Sequence, residues 1–266
     1  MKYCRFQFNG QAEYGLVESV AGQDSIVRIL VTPPEEADGD MEGLRTRRIE
    51  PISLNHAALL PPVRPSKIVC VGRNYREHAA ELGHEIPTEP LIFLKATSAL
   101  LSPGATILRP KISERVDYEG ELAVVIGRTC HQPPPDSDIR QYILGYTCVN
   151  DVTARDLQNK DGQWTRAKGF DTFCPVGPLV SDELDLDAGL TIETHLNGEE
   201  RQHASTADFI FPVAALLSFI SAAFTLEPGD LILTGTPSGV GPLAPGDRVE
   251  VSISGLGVLS NTVESD

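Results

Sequence analysis

Short apolar segments separated by turn residues dominate the chain from residue 67 onward. Each has the length of a strand and is bounded by glycine, proline, asparagine or aspartate, which is typical of β-strands. The segments are KIVCVG, PLIFL, ELAVVIG, ILGYTCVN, GPLV, LTIETHLNG, LILTG and RVEVSIS. Because few stretches between them have helical periodicity, the pattern predicts a β-rich α+β fold with few helices.

One segment has the length and the composition of a helix. It starts near Pro212, which is acceptable at a first helical position, and runs VAALLSFISAAF. Apolar residues occupy nearly every face of this helix, so we expect it to be buried. Three Pro-Gly pairs, in LSPGATI, LEPGDLI and LAPGDRV, each precede a strand and predict type II turns.

The first sixty residues are also predicted to form short strands. Asn9-Gly10, a favoured hairpin turn, joins KYCRFQF to EYGLVESV, and SIVRILV follows. An acidic loop, PPEEADGDMEG, comes next, and the proline-rich stretch LLPPVRPSK at residues 59–67 suits a linker. We therefore predict a small N-terminal β-rich domain over residues 1–62 and a larger domain over residues 63–266.

The composition limits what the chain can bind. With 266 residues, of which 41% are hydrophobic, the chain can bury a sizeable core. Its formal net charge of -15 opposes attraction to nucleic acid and to anionic membrane, so we expect neither as a partner. A small anionic ligand can still bind where a few cationic side chains gather.

The cysteines and the N-terminal residues indicate the compartment. The five cysteines are widely spaced and form no CxxC pair, which argues against a disulfide framework and against a zinc site. No apolar run approaches membrane-spanning length, and MKYCRFQFNG lacks the apolar core of a signal peptide. The expectation is a cytoplasmic protein with buried, reduced thiols.

Two glutamates stand at the start of an otherwise apolar strand in DYEGELAVVIG, residues 117–127. Glu119 and Glu121 point to the same face of an extended chain, where their like charges repel each other. A divalent cation would remove the repulsion, whereas on a solvated edge strand both side chains would simply face water. This strand alone leaves both interpretations open.

A third carboxylate favours the metal site. The apolar strand YILGYTCVN runs directly into Asp151, and strand ends commonly deliver ligands to a site. Three carboxylates with no histidine or cysteine nearby in the sequence suit a hard, octahedral cation. The prediction is therefore Mg²⁺ or Mn²⁺ rather than zinc.

A short helix is predicted within VGRNYREHAAELG, residues 71–83. Asn74 is the candidate N-cap, and Gly83 is the candidate stop. The residues expected on one side of this helix are Tyr75, His78, Ala79 and Leu82. Because so short a helix is marginal in isolation, we expect residues 74–87 to be mobile without ligand.

The same helix carries a histidine and a glutamate at neighbouring surface positions. His78 and Glu81 are three residues apart, so the carboxylate can orient the imidazole. Such a pair makes a reasonable general base for water. A surface pair with no role is the alternative.

Five runs of sequence, taken in order, resemble the fumarylacetoacetate hydrolase (FAH) family. They are DYEGELAVVIG, GYTCVNDVTARDLQ, WTRAKGFDTFCPVGP, LNGEERQ and LEPGDLILTGTPSGVGPL. The resemblance covers roughly residues 65–263 and makes residues 63–266 the catalytic domain. It implies a mixed β-roll or β-sandwich fold, a homodimer, and Mg²⁺ or Mn²⁺ held by Glu119, Glu121 and Asp151.

The resemblance also implies roles for other residues. His78 and Glu81 match a water-activating dyad on a segment that closes over the substrate. Lys168 would lie beside the metal, where it can polarise an oxo group or stabilise developing negative charge. We predict that the substrate is bound by Arg73, Tyr75, Arg155, Gln158 and Thr236. A structural ion pair of Arg155 with Asp156 or another acid is an alternative.

The loop TGTPSGVGPLAPG contains a near match to a dinucleotide-binding fingerprint. Pro242 and Pro245 prevent the helix that must follow such a fingerprint, and no βαβ unit surrounds it, so this function is rejected. The loop is predicted instead to present backbone amides and the Thr236 side chain to a substrate carboxylate.

These features favour chemistry on a small anionic 2-oxo acid. A metal bound to its 1-carboxylate and 2-oxo oxygens would stabilise the pyruvate enolate left when a bond at C3 breaks. If C3 carries an acyl group, water activated by the dyad completes a hydrolysis. The first prediction is therefore a divalent-metal-dependent C–C bond hydrolase of acylpyruvate-type 2,4-dioxo acids such as fumarylpyruvate.

Three alternatives stay open. A carboxylate on C3 would leave as carbon dioxide, as in oxaloacetate decarboxylase or 5-oxopent-3-ene-1,2,5-tricarboxylate decarboxylase. A simple proton transfer would make the protein a 2-hydroxyhepta-2,4-diene-1,7-dioate isomerase. The third hypothesis is a non-catalytic binding protein that a metal stabilises. The homodimer rests on the family resemblance alone.

Overall fold

Strands make up most of the regular structure. In the computed structural model, the described residues are 1–37, 43–81, 83, 85–134 and 137–266. These residues form twenty β-strands and four α-helices, so the predicted strand-rich α+β fold with few helices is confirmed. Part of the predicted acidic loop PPEEADGDMEG lies outside the described residues.

The N-terminal part of the chain is an antiparallel meander. Its strands are β1 (Lys2–Phe8), β2 (Gln11–Val20), β3 (Gln23–Leu30), β4 (Thr46–Ser53) and β5 (Leu59–Leu60). Strands β1 to β4 pair in sequence order, and β5 pairs with β1. The strands predicted at KYCRFQF, EYGLVESV and SIVRILV are confirmed.

Eight of the remaining fifteen strands follow the eight predicted apolar segments. The fifteen strands are β6 (Ile68–Gly72), β7 (Leu91–Lys95), β8 (Leu100–Leu101), β9 (Thr106–Arg109), β10 (Val116–Tyr118), β11 (Gly120–Ile126), β12 (Ile143–Asn150), β13 (Thr153–Ala154), β14 (Cys174–Ser181), β15 (Thr191–Leu196), β16 (Glu199–Ser205), β17 (Leu231–Leu233), β18 (Gly241–Pro242), β19 (Arg248–Ile253) and β20 (Gly257–Ser265). The glycines of the three Pro-Gly pairs have the positive φ that type II turns require.

Four α-helices complete the described structure. They are α1 (Arg76–Glu81), α2 (Arg155–Asp161), α3 (Thr165–Lys168) and α4 (Val213–Ala223). Within the described ranges, no helix is both long enough and apolar enough to cross a membrane. The expected mobility of residues 74–87 stays a prediction, and Leu82 and His84 within it lie outside the described residues.

Helix α4 confirms the predicted helix but corrects its expected burial. Pro212 precedes the helix as its N-cap instead of starting it. One face, which includes Leu216 and Ile220, is buried, whereas Ala214 and Ala215 are exposed. The exposed positions carry small side chains, which count as apolar in the pattern but leave little surface to bury.

Twelve strands form one large mixed sheet. Its order is β4-β3-β2-β1-β14-β12-β11-β17-β6-β7, with β5 beside β1 and β8 beside β14. A second sheet has the order β16-β15-β19-β20-β9, and a third has the order β13-β10-β18. Because β1 pairs with β14, the N-terminal strands continue the large sheet. The division into domains at residue 62 stays a prediction.

Strand β11, which carries Glu121, lies inside the large sheet between β12 and β17. Every residue of the strand is buried. Leu122 and Val124 pack in an apolar cluster that also contains residues of α4 and of the second sheet. Ala123 and Val125 pack in a second cluster on the opposite face. The alternative of a solvated edge strand is therefore wrong.

Three hairpins turn through two residues that both have positive φ, as type I′ turns require. The turns are Asn9-Gly10, Ala21-Gly22 and Asn197-Gly198. Asparagine and glycine are the favoured pair for this geometry. Ala21 is the exception, because at its φ of 51° the Cβ of alanine is disfavoured.

Replacing Ala21 by asparagine should raise the free energy of unfolding by about 1 kcal/mol, because asparagine tolerates the left-handed backbone better than alanine does. Equilibrium unfolding in urea measures the change. The matched control is Ala12→Asn at an exposed position inside β2, where asparagine should give no gain. An Ala21→Asn variant no more stable than the unsubstituted protein would contradict this reading of the turn.

Candidate active site

The three predicted carboxylates come together in one buried cluster. Glu119 lies between β10 and β11, Glu121 is the second residue of β11, and Asp151 follows β12. Strands β11 and β12 are antiparallel neighbours, with Gly120 opposite Asn150, so the three residues meet at the same end of the pair. One oxygen of each carboxylate lies within 4.8 Å of the others.

Hydrogen bonds from backbone amides hold the Glu121 carboxylate and the backbone of Glu119 and Asp151 in place. The amide of Gly235 donates to Glu121 Oε2 over 2.8 Å. The amide of Asp151 donates to the carbonyl oxygen of Glu119 over 2.8 Å, and the amide of Glu119 donates to Asn150 Oδ1 over 2.9 Å. The cluster is thus positioned by the strand ends and by the loop after β17.

Two buried lysines contact the cluster. Lys168, the last residue of α3, donates from Nζ to Glu119 Oε2 over 2.7 Å and to Asp151 Oδ2 over 2.6 Å. Lys95, at the end of β7, donates to Asp151 Oδ1 over 2.6 Å and to the Val152 carbonyl over 3.1 Å. Buried carboxylates require such partners, because an unpaired buried charge is costly.

The pKa values of Glu119 and Glu121 are shifted in opposite directions. Burial alone would raise the pKa of Glu119, but Lys168 and Arg155 outweigh it and hold that pKa well below its usual range. The pKa of Glu121 is raised well above its usual range, first by burial and then by the carboxylates of Asp151 and Glu119. Of these two carboxyl groups, Glu121 is therefore the more easily protonated.

The donor set fits a hard divalent cation. All three side chains offer carboxylate oxygens, which suit Mg²⁺ or Mn²⁺. Among the described residues, no lysine or arginine is hydrogen-bonded to Glu121. Its carboxylate accepts a hydrogen bond from the Gly235 amide. A cation at this point would displace the Glu121 proton and offset the mutual repulsion. That these residues ligate a metal stays a prediction.

The predicted dyad forms at the edge of this cluster. His78 is buried, and its Nδ1 lies 3.1 Å from Glu81 Oε2. Glu81 Oε1 accepts a hydrogen bond from the Gly239 amide over 3.1 Å. With Nδ1 occupied by the carboxylate, Nε2 is the imidazole nitrogen left for the cavity, which His78 lines.

Asn74 does not act as the predicted N-cap of α1. Its Nδ2 donates to the carbonyl oxygens of Phe211 and Thr234, and its Oδ1 accepts from the Phe211 amide. The buried side chain therefore ties the start of α1 to the segments before α4 and after β17. Local spacing suggested a cap, but three distant backbone groups satisfy this amide.

A cavity of about 540 Å³ opens above the carboxylates. Among the residues that line it are the three carboxylates, His78, Lys168, Arg73, Arg155, Gln158 and Thr236. Tyr75 is not part of this lining, because its ring packs edge-on against Phe209 at a centroid distance of 5.1 Å. The structure thus brings together every predicted site residue except Tyr75 and Glu81, and Glu81 reaches the cavity through His78.

Arg155 is held by three protein groups. Its Nη2 donates to Glu119 Oε1 over 2.5 Å, its Nε to Asp117 Oδ2 over 3.0 Å, and its Nη1 to Gln158 Oε1 over 2.7 Å. The structural ion pair considered from the sequence is therefore present, but not with Asp156. Two N–H groups of the guanidinium remain for a substrate, so substrate binding by Arg155 stays a prediction.

Asp117 is a cavity residue that was not among the predicted site residues. It is fully buried and accepts hydrogen bonds from Arg155 Nε and from Arg115 Nε, the latter over 2.8 Å. The signal was present in the sequence, because Asp117 lies two residues before Glu119 and thus shares its face. Its partners could not be identified without the fold.

Two aromatic side chains line the same cavity as these charged groups. Phe93 and Trp164 pack edge-to-face at a centroid distance of 5.0 Å, and both line the cavity. The Lys168 ammonium lies 5.1 Å from the Phe93 ring centroid, within reach of a cation–π interaction. The cavity therefore offers some apolar surface beside its charged groups.

Residues 67–264 match the fumarylacetoacetate (FAA) hydrolase C-terminal family. The chain belongs to the fumarylacetoacetate hydrolase family. The predicted family membership and the FAH-type fold are thereby confirmed.

Relatives of known structure or name have several activities. A 2,4-didehydro-3-deoxy-L-rhamnonate hydrolase of Sphingomonas sp. (strain SKA58) is 38% identical over 99% of this chain and 96% of its own length. A 5-carboxymethyl-2-hydroxymuconate delta-isomerase from Mycobacterium smegmatis has a TM-score of 0.88 at 38% identity, with both chains fully covered. A fumarylpyruvate hydrolase from Pseudomonas aeruginosa, in complex with Mn²⁺ and pyruvate, has a TM-score of 0.70 at 34% identity over 78% of this chain and 92% of that chain.

These relatives establish an FAH-family enzyme without establishing its reaction. Their names include hydrolases and an isomerase, and one of them is in complex with a divalent metal. The specific ion, the reaction and the substrate of this chain therefore belong to a proposal. The homodimer stays a prediction.

Binding of Mn²⁺ should strengthen as the pH rises and should release protons, because burial raises the pKa of Glu121 and proton and cation compete for the same carboxylate. Calorimetric titration in buffers of different ionisation enthalpy measures the proton release. The Glu121→Gln variant should bind Mn²⁺ at least about tenfold more weakly and release no proton. A Mn²⁺ affinity that does not change with pH would contradict the raised pKa of Glu121.

Proposed function

We propose that this protein is a divalent-metal-dependent hydrolase of acylpyruvate-type 2,4-dioxo acids. The observation that carries the proposal is the joint placement of the carboxylate cluster and of the His78–Glu81 pair on one cavity. A site that only stored a metal would need no base beside it. Pyruvate is named as a ligand of the Pseudomonas aeruginosa relative, which supports a pyruvoyl substrate.

Glu119, Glu121 and Asp151 would hold Mg²⁺ or Mn²⁺. The ion would act as a Lewis acid on the carboxylate and 2-oxo oxygens of the substrate. Lys168 contributes a second positive charge at the same place. Burial alone would lower the pKa of Lys168, but Asp151 and Glu119 raise it, so the ammonium stays charged and can stabilise negative charge on the substrate oxygen.

The dyad supplies the base. Glu81 fixes the orientation of the imidazole through Nδ1, so Nε2 can take a proton from water in the cavity. The water oxygen attacks the acyl carbon C4, the C3–C4 bond breaks, and its electron pair stays on C3. C3 then takes a proton, and the products are a carboxylic acid and pyruvate.

Arginines provide the countercharge for the carboxylate of the substrate. Arg73 lines the cavity, and Arg155 keeps two N–H groups after its contacts with the protein. The aromatic rings of Phe93 and Trp164 offer an apolar surface that suits the carbon chain of the acyl group. The cavity thus suits the anionic pyruvoyl end of the substrate and the carbon chain next to it.

A second candidate is isomerisation of a 2-oxo or 2-hydroxy dicarboxylate. It is favoured by the similarity to the Mycobacterium smegmatis isomerase over the whole of both chains. In that reaction His78 would move a proton from one atom of the substrate to another, for a 2-hydroxy diene from the hydroxyl oxygen to a carbon, and no water would be consumed. The alternative of decarboxylation would also leave the dyad without a nucleophile to activate.

Turnover of fumarylpyruvate and acetylpyruvate, compared with 2-hydroxyhepta-2,4-diene-1,7-dioate and oxaloacetate in the presence of Mg²⁺ or Mn²⁺, should favour the two acylpyruvates. Pyruvate release and ultraviolet absorbance measure the rates. A larger kcat/KM for the diene dioate would transfer the assignment to isomerisation, and a larger one for oxaloacetate would transfer it to the alternative of decarboxylation.

His78→Ala should lower kcat for acylpyruvate hydrolysis by about 10²- to 10⁴-fold, because it removes the general base. The matched control is His203→Ala, since His203 is also paired with a glutamate three residues away, at 3.3 Å, but lies exposed on β16. This control should keep the full rate. Hydrolysis that survives His78→Ala unchanged would remove the dyad from the mechanism.

A further inference from the structure

The sequence run LNGEERQ has no role in the proposed chemistry, yet it ends in a buried side chain. Gln202 lies on β16 in the second sheet and is almost fully buried. Its side chain reaches out of that sheet to the start of β11 and to the loop after β17. A buried amide requires partners for all its polar atoms, so its contacts define what it holds in place.

Gln202 closes a ring of hydrogen bonds with Gly120 and Thr236. The Gly120 amide donates to Gln202 Oε1 over 3.0 Å, and Gln202 Nε2 donates to Thr236 Oγ1 over 2.8 Å. The Thr236 hydroxyl in turn donates to the Gly120 carbonyl oxygen over 3.0 Å. A second hydrogen of Nε2 goes to the Pro237 carbonyl oxygen over 2.9 Å.

The ring has only one possible direction. Gln202 Oε1 faces an N–H donor and Nε2 faces a carbonyl oxygen, so exchanging the two ends of the amide would place like groups together. The hydroxyl hydrogen of Thr236 is consequently committed to Gly120. Towards the cavity, Thr236 can only accept a hydrogen bond, which does not match the predicted donation to a substrate carboxylate.

The ring encloses the backbone that carries two of the three clustered carboxylates. Gly120 stands between Glu119 and Glu121, and both its amide and its carbonyl oxygen belong to the ring. A side chain is excluded there, because a Cβ on Gly120 would lie 2.0 Å from Thr194 Oγ1. The ring therefore fixes the peptide planes from which Glu119 and Glu121 project.

The other side of the ring is the loop that contacts Glu121. Thr236 and Pro237 follow Gly235, whose amide donates to Glu121 Oε2 over 2.8 Å. Gln202 thus holds both the strand from which Glu121 projects and the loop that binds its carboxylate. A change at Gln202 would alter both restraints on the same carboxylate.

We propose that Gln202 is a positioning residue that sets the spacing of Glu119 and Glu121 for metal binding and the orientation of the Thr236 hydroxyl. This inference rests on the proposed metal site. Groups that orient metal ligands typically change metal affinity by about 10- to 100-fold when they are removed. A side chain that only stabilised the fold would not change the affinity of the folded protein.

The test is the dissociation constant of Mn²⁺, measured without substrate by electron paramagnetic resonance of the free ion. Gln202→Met keeps the size of the side chain and removes its polar atoms, and it should weaken Mn²⁺ binding by about 10- to 100-fold. The matched control is Asn261→Leu, which removes another buried amide, one that donates to Ser102 and Ala105 outside the cavity lining. This control should keep the dissociation constant within about twofold, because its contacts are separate from the site.

Thr236→Val is the second variant, and it opens the ring at another member with little change in volume. It should weaken Mn²⁺ binding by about threefold or more, although less than Gln202→Met, because the Gly120 amide keeps its acceptor. Circular dichroism shows which variants are folded. Folded variants at both positions that bind Mn²⁺ within about twofold of the unsubstituted protein would overturn the inference. Failure of the unsubstituted protein to bind Mn²⁺ would overturn the proposed function as well.

Discussion

Repulsion among three buried carboxylates is the constraint on which the rest of the site depends. Two like charges about 4 Å apart in a medium of intermediate dielectric repel each other by roughly 4 kcal/mol. The chain offsets this cost with Lys168 and Lys95 on Asp151, with Lys168 and Arg155 on Glu119, and with a raised pKa at Glu121. Glu121 has no lysine or arginine donor among the described residues, so a divalent cation would stabilise the cluster most at this carboxylate.

The fold brings the parts of the site together through one loop. Gly235 donates to Glu121, the Thr236 hydroxyl donates to Gly120, and Gly239 donates to Glu81. The same short stretch of backbone therefore contacts the carboxylate cluster and the dyad. Because β16 of the second sheet supports this stretch through Gln202, the position of the base relative to the cluster depends on packing between the two sheets.

Much of the candidate site follows from local rules. Alternation along a strand places Glu119 and Glu121 on one face, and a spacing of three residues on a helix pairs His78 with Glu81. Local rules failed for Asn74, whose amide binds the segments around Phe211 and Thr234 instead of capping α1. They also missed Asp117, because its importance comes from a contact with Arg155 that is distant in sequence.

The sequence by itself determined the strand-rich pattern, the type I′ turn at Asn9-Gly10, the family, and the acidic and basic residues available for chemistry. Only the tertiary structure decided that the cluster is buried, that Lys95 binds Asp151, that Tyr75 lies outside the cavity lining, and that Gln202 reaches the cluster from another sheet. The physical reason is that periodicity sets the direction of a side chain relative to its own strand or helix. Which distant groups it meets, and how much water remains around it, depends on how the sheets pack.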